Sequence, residues 1–228
     1  LVLPPPAVAS WPYAAGSAAL QIGYCLFLVR AYRHGQLGQV YPVARGSAPM
    51  LVALGAAVFA GERLSPQAVT GLALVCAGIV GLSLGRDRAD LRSLLAAVVT
   101  GVFIAGYMVT DGVGVRLSGR PVSYVVWMTF IQGAPMPLVY FFVRRRFPAI
   151  RLDGDTLKAL AGGLIGVVSY GVVVWAMSIT DMARVSGLRE TSILFAAILG
   201  ALFLKERFTL RRAACAVVIS TGAILLAS

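Results

Sequence analysis

Charge is scarce in this 228-residue chain: 13% of its residues are charged, against about 25% in an ordinary soluble domain. That scarcity excludes a soluble fold with polar outer helix faces. Histidine occurs once, as His34, which excludes a multi-histidine metal site. Lysine occurs twice, as Lys158 and Lys205, so arginine carries almost all the positive charge. The three cysteines, Cys25, Cys76 and Cys215, lie inside apolar runs with no C-x-x-C spacing, and read as small buried hydrophobes. The spacings G-x-x-x-x-G-K-[ST], H-E-x-x-H and G-x-S-x-G are all missing, which removes an ATP-driven or common hydrolytic mechanism. No cofactor is implied. A membrane enzyme has no nucleophile–base or metal constellation to work with.

What the chain has is apolar length. Hydrophobic residues make up 59% of it, and mean hydropathy is +0.85. Apolar runs of about 18–22 residues recur, each bounded by Arg, Gly or Pro, and a bilayer core about 30 Å thick needs about 20 helical residues to cross. Lipid offers the backbone no hydrogen-bond partners, so helices are the expected element. The net charge of +11 sits at the ends of the apolar runs. There it reads as anchoring to anionic lipid, with no nucleic acid partner.

The chain opens LVLPPPAVAS, which lacks the marks of a signal peptide and reads as an extended connection. The periodicity predicts helices over 12–30, 38–60, 67–84, 93–110, 122–143, 159–179, 183–204 and 210–227. Pro42 and Pro49 are expected to interrupt the second helix, with Arg45 between them. The fourth is expected to end at Asp111, where capping or loop solvation is the natural role for the carboxylate; Asp181 reads the same way. The fifth carries Gly133, Pro135 and Pro137 beside Gln132, a kink whose freed carbonyls either meet substrate or are repacked. Gly81–Gly85 and Gly162–Gly166 have the G-x-x-x-G spacing that lets helix backbones approach in lipid.

Residues 183–204 are the most informative stretch. They are long enough to span a bilayer yet hold Arg189 and Glu190 well inside the first half. A charge at membrane depth costs roughly 2.5–3.5 kcal/mol on insertion scales, so it needs a partner or a wet cavity. The stretch has a twin at 38–59, offset by 145, in which Arg45 occupies the place of Glu190. The offset also maps Val40 to Val185, Ser47 to Ser192 and Gly55 to Gly200. After a one-residue deletion it maps Glu62-Arg63 to Glu206-Arg207, so the turn GERLS matches KERFT. A charged turn between two apolar helices, repeated at one offset, indicates duplication.

The second copy starts near Ser93 and has five helices; the first has three. Residues 1–92 are therefore read as the C-terminal three helices of a first repeat, and 93–228 as a complete second repeat. On this reading about 50 residues and two helices stand upstream in the intact protein. The expected fold is an all-α membrane protein, a polytopic bundle with about eight transmembrane helices of an inferred ten. An odd number of helices per copy places the copies as a five-plus-five inverted repeat, the plan of many secondary transporters.

The Pro49…Gly61-Glu62-Arg63 pattern runs into a glycine-rich helix over 71–85, and its second copy runs from Arg184 to Glu206 and on to Gly222. In these features the chain resembles the EamA-type members of the drug/metabolite transporter superfamily. The resemblance implies ten helices, a multi-pass location in the bacterial inner membrane, and export of small metabolites such as amino acids or drug-like solutes. It is weaker where the first two helices are wanting.

Arg45 and Glu190 are the leading substrate-binding or coupling candidates. They form either a site for a charged or zwitterionic solute or a structural ion pair locking the two copies. Glu190 is also a candidate proton site. Tyr170, Trp175, Tyr24 and Gln132 are candidate cavity residues, with membrane packing as the alternative for the aromatics. Glu62, Arg63, Glu206 and Arg207 read as turn braces. The expected activity is secondary active transport by alternating access, with a small-molecule substrate, the lipid bilayer as surroundings and a possible homodimer. The rivals are a flippase for amphipathic or lipid-linked substrates and a non-transporting membrane scaffold subunit.

Overall fold

The apolar runs become helices throughout. The computed structural model describes residues 3–34, 37–83, 91–145, 154–192, 195 and 210–227. A 3-10 turn, Val8–Ser10, leads into α1 (Trp11–His34). Then come α2 (Leu37–Ala60), α3 (Pro66–Ser83), α4 (Leu91–Leu117), α5 (Pro121–Gly133), α6 (Met136–Arg144), α7 (Gly154–Met177), α8 (Met182–Arg189) and α9 (Leu210–Ala227). Among the described residues, four segments are long and apolar enough to cross a membrane: Val8–Val29, Leu95–Leu117, Pro121–Phe142 and Gly154–Met177. Ala44–Ala60, Pro66–Gly81 and Ala213–Ala227 are shorter apolar helices. These are seven of the eight apolar segments expected from the sequence; of the remaining one, 183–204, residues 193–194 and 196–204 lie outside the described residues.

The differences from expectation lie at helix interruptions. Pro42 and Pro49 do not break α2, which is continuous from Leu37 to Ala60. Helix α4 does not stop at Asp111; it runs a further turn and a half to Leu117. It ends where Gly119 adopts φ +63, a left-handed conformation that glycine takes without cost, and Pro121 then opens α5 at its first turn. The expected fifth helix is split into α5 and α6 at Ala134–Pro135. Pro135 and Pro137 have no N–H to offer the carbonyls of Ile131 and Gly133. Helix α7 begins at Gly154, earlier than expected, with Asp155 favourably placed in its first turn.

The chain divides into two compact units that do not follow its halves. The first is Leu1–Ile22 with Thr110–Ile179; the second is Gly23–Val109 with Thr180–Ser228.

In the first unit α5 packs along α7. Tyr124 is fully buried against Gly114, where any β-carbon would collide with the phenol ring. Trp11 and Trp127 meet with ring centroids 5.4 Å apart. The amide of Ala7 donates to the carbonyl of Ser118 at 3.1 Å and ties down the N-terminal segment. The outer face of α7 exposes Leu157, Leu160, Leu164, Ile165 and Val168. An apolar surface of that extent belongs against lipid. Gly162 and Gly166, read as a packing motif, lie on this open surface, where an added β-carbon would have nothing within 4 Å.

In the second unit Ala68, Leu72, Val75 and Ile79 repeat at helical spacing along α3 and form a core with Ile219 and Leu226 of α9. The backbones touch at Gly71 and Gly222. A β-carbon on Gly71 would lie 2.8 Å from the Gly222 carbonyl oxygen, and one on Gly222 would lie 2.6 Å from that of Gly71. This is the small-residue contact expected in lipid, and Gly81 adjoins the same helix, where a β-carbon would lie 3.0 Å from Cys215 Sγ. Gly85 lies outside the described residues. Helix α2 packs on α3 and on α8 in the same unit.

Candidate functional site

Two polar clusters interrupt this apolar interior, one in each unit. In the second unit Arg45 Nε donates to Glu190 Oε2 at 2.8 Å. The Glu190 side chain is 2% exposed and that of Arg45 16%. Glu190 stands where α8 stops. Its amide reaches back to the carbonyl of Gly187 at 3.2 Å, and that of Thr191 to Leu188 at 3.1 Å, closing the last turn tightly. The Thr191 hydroxyl donates to the same Leu188 carbonyl at 2.7 Å. A side chain competing for a helix carbonyl favours such an ending. The stretch 183–204, expected to be one helix, thus turns at the level of its charged residue, and Ser192 is helical again.

Arg189 points elsewhere. Its Nη1 donates to the sulfur of Met108 on α4 at 3.2 Å, and the Ser186 hydroxyl lies 3.9 Å from the same sulfur.

The start of α8 is held as firmly as its end. Both carboxylate oxygens of Glu62 accept from the amide of Met182, at 3.1 and 3.0 Å. That amide is one of the four that a helix N-terminus leaves unpaired. Asp181 occupies the capping position but makes no side-chain cap; it pairs with Arg184 at 3.2 Å. Glu62 therefore supplies from the α2–α3 turn the cap that Asp181 was expected to give locally. Arg63 is exposed. Glu206 and Arg207 lie outside the described residues.

The first unit gathers around Asp111, which is fully buried on α4. Tyr170 of α7 donates its hydroxyl to Asp111 Oδ2 at 2.7 Å. Gln132 and Tyr124 of α5 approach the two carboxylate oxygens at 3.4 Å each. Gln132 Nε2 also donates to the Ser17 hydroxyl of α1 at 2.9 Å. One carboxylate thus links four helices. Gln132 comes immediately before the α5–α6 break, so this cluster too lies at a helix interruption. Two polar atoms of the same unit, Gln21 Oε1 and Trp127 Nε1, are buried without a hydrogen-bond partner among the described residues.

Of the candidates read from the sequence, Arg45 and Glu190 meet each other, and Gln132 and Tyr170 meet at Asp111. Tyr24 packs edge-on to Tyr107 with centroids 5.8 Å apart, in the second unit. Trp175 is 45% exposed and belongs to neither cluster. Asp111, Tyr124, Ser17 and Met108 were not singled out as site residues. For Asp111 a signal existed: the apolar pattern continues past it through GVGV to Arg116, and the two glycines there disguised helix as turn. Tyr124 and Met108 look like any buried aromatic or thioether until their partners are known.

Buried, partnered charges within long apolar helices define a polytopic helical membrane protein. The sequence profile of the EamA-like transporter family matches residues 91–228, more than half of the chain, and the chain belongs to that family. It is therefore a membrane transporter of the drug/metabolite transporter superfamily by class, and the family is not an enzyme family. A solved crystal structure of a protein superposes with a TM-score of 0.75 at 22% identity, covering 94% of this chain and 75% of its own. At that identity the likeness concerns the fold alone. Among curated proteins, none matches the sequence.

Proposed function

We propose that this protein is a secondary active carrier of a bacterial inner membrane, exporting a small zwitterionic or polar metabolite by alternating access. The observation that carries the reading is the Arg45–Glu190 pair, buried at 2.8 Å where α8 is interrupted. A buried ion pair contributes little to stability, because desolvation offsets the attraction. Its retention inside apolar helices has a simple use. A zwitterion such as an amino acid can replace each partner for the other, its carboxylate meeting Arg45 and its ammonium Glu190, so that every buried charge stays paired and the net charge is unchanged. Interrupted helices with polar groups at the break are a common setting for substrate sites in carriers.

The test is efflux from cells of amino acids, toxic analogues and cationic drugs, with Glu190→Gln and Arg45→Gln compared at matched membrane levels. Efflux of a zwitterion that either variant abolishes supports the reading. Efflux unchanged in both variants makes the pair a structural lock. No efflux of any solute by well-inserted wild type removes the carrier reading and raises the scaffold one.

A second reading, carriage of an amphipathic or lipid-linked substrate, is favoured by one feature. A groove of about 430 Å³ lies beside the α5–α6 break, between Val126, Phe130 and Gly133 on one side and Val167 on the other. Cross-linking of a photoreactive phospholipid to Phe130→Cys, competed by the transported solute, would favour it over the first.

A further inference from the structure

Two carboxylates are buried among the described residues, Glu190 and Asp111, and their bonding partners differ in kind. We infer that Asp111 is the group through which this protein binds and releases a proton, an inference that rests on the carrier reading above.

Glu190 is bonded to a permanent charge. Its partner Arg45 is a guanidinium, which only donates and stays charged. Asp111 has no such partner among the described residues. The groups that bond to it are neutral: the hydroxyl of Ser17, the phenols of Tyr170 and Tyr124 and the amide of Gln132. The titratable groups facing it are those two tyrosines, from α7 and α5. Tyr13 of α1 packs against Gly114, about one turn along α4. Arg116, on the same helix, directs its Nε to the Met177 carbonyl at 2.9 Å.

A phenol hydroxyl both donates and accepts. With Asp111 ionised, Tyr170 donates to Oδ2 across 2.7 Å. With a proton on Oδ2, the carboxyl donates to the Tyr170 oxygen across the same gap, and the phenol hydrogen rotates away. Gln132 keeps its bond to Ser17 in both states. The cluster therefore accommodates either form with little movement of heavy atoms. The step is a proton taken from water at one membrane face, adding to the carboxylate to give the neutral acid, and returned to water at the other face. Because the carboxylate joins α1, α4, α5 and α7, the change in charge is felt by four helices at once. It reverses the shortest of the bonds to the carboxylate, which couples protonation to the arrangement of the unit.

The deciding measurement is infrared difference spectroscopy of the purified protein in nanodiscs during a pH titration. The expected result is a carbonyl band of a protonated carboxyl that grows as pH falls, is lost in Asp111→Asn and persists in Glu190→Gln. Asp111→Glu should retain the band at a shifted frequency, which covers the case in which Asp111→Asn does not fold. A band unchanged in Asp111→Asn, or one lost in Glu190→Gln instead, overturns the inference.

The second arm uses proteoliposomes containing a trapped pH-sensitive dye, with a mixture of the twenty amino acids added outside. Proton movement on addition is expected for wild type and should fall at least tenfold in Asp111→Asn. Proton movement equal to wild type in that variant overturns the inference. Wild type that moves no amino acid counts against the carrier reading for that substrate class, and the infrared arm still decides whether Asp111 takes a proton.

Discussion

Arg45 and Glu190 stand 145 positions apart and bond to each other at 2.8 Å. That separation equals the offset at which the stretches 38–59 and 183–204 align. Opposite charges at matching positions are what such a contact requires, since like charges there would repel in a setting of low dielectric. Both residues belong to the same compact unit. The repeat alone shows that the positions correspond, but not that they touch.

Glu190→Gln removes the buried carboxylate that Arg45 meets at 2.8 Å. Breaking a buried pair costs about 3–5 kcal/mol, and the lower end is expected here because Arg45 retains 16% exposure. Thermal unfolding in detergent should show a clear drop. The reversed pair, Arg45→Glu with Glu190→Arg, should regain part of that stability while failing to restore efflux. A reversed pair that exports like wild type would leave the residues a merely structural role.

Glu62 caps α8 from a distant turn, so Glu62→Ala should loosen that helix specifically. The expected cost is about 1 kcal/mol, the usual value for a lost N-cap. Hydrogen exchange should rise over Met182–Arg189 and stay unchanged in α3. Asp181→Ala, which removes the residue at the capping position, should leave exchange in α8 nearly as it was, because that side chain makes no cap.

Glycines separate into two groups. Gly71→Ala and Gly222→Ala push a methyl group into facing backbone; overpacking of this kind costs about 1–3 kcal/mol. Gly162→Ala and Gly166→Ala meet open space, so they should leave the melting temperature unchanged or raise it slightly, since alanine favours helix. Equal losses in both groups would mean that the outer face of α7 is covered by another surface.

Tyr170 and Asp111 should be coupled energetically. Tyr170→Phe removes the shortest bond to the carboxylate, at a cost of about 1–3 kcal/mol if the acceptor is left underpaired. In combination with Asp111→Asn the losses should fall short of their sum, by about 0.5–3 kcal/mol in a double-mutant cycle. Simple additivity would show that the 2.7 Å contact contributes little.

Length, hydropathy and the position of charge were enough to determine a helical membrane protein and to bring forward Arg45 and Glu190, whose charges sit inside apolar runs. These are properties of single segments: a run of about 20 apolar residues must lie in lipid wherever its neighbours are. Partnership was another matter. Whether a proline breaks a helix depends on what else satisfies the carbonyls, so α2 continues through Pro49 while α5 and α6 part at Pro135. Which glycine pair makes a close contact depends on helix rotation, and that selected Gly71 and Gly222 over Gly162 and Gly166. The role of Asp111 rests on residues far away in the chain, Tyr170 and Gln132, whose hydroxyl and amide turn what resembled a helix end into the polar centre of a unit. Tertiary structure decided these because hydrogen-bond partners and helix faces are fixed by packing, which no local pattern encodes.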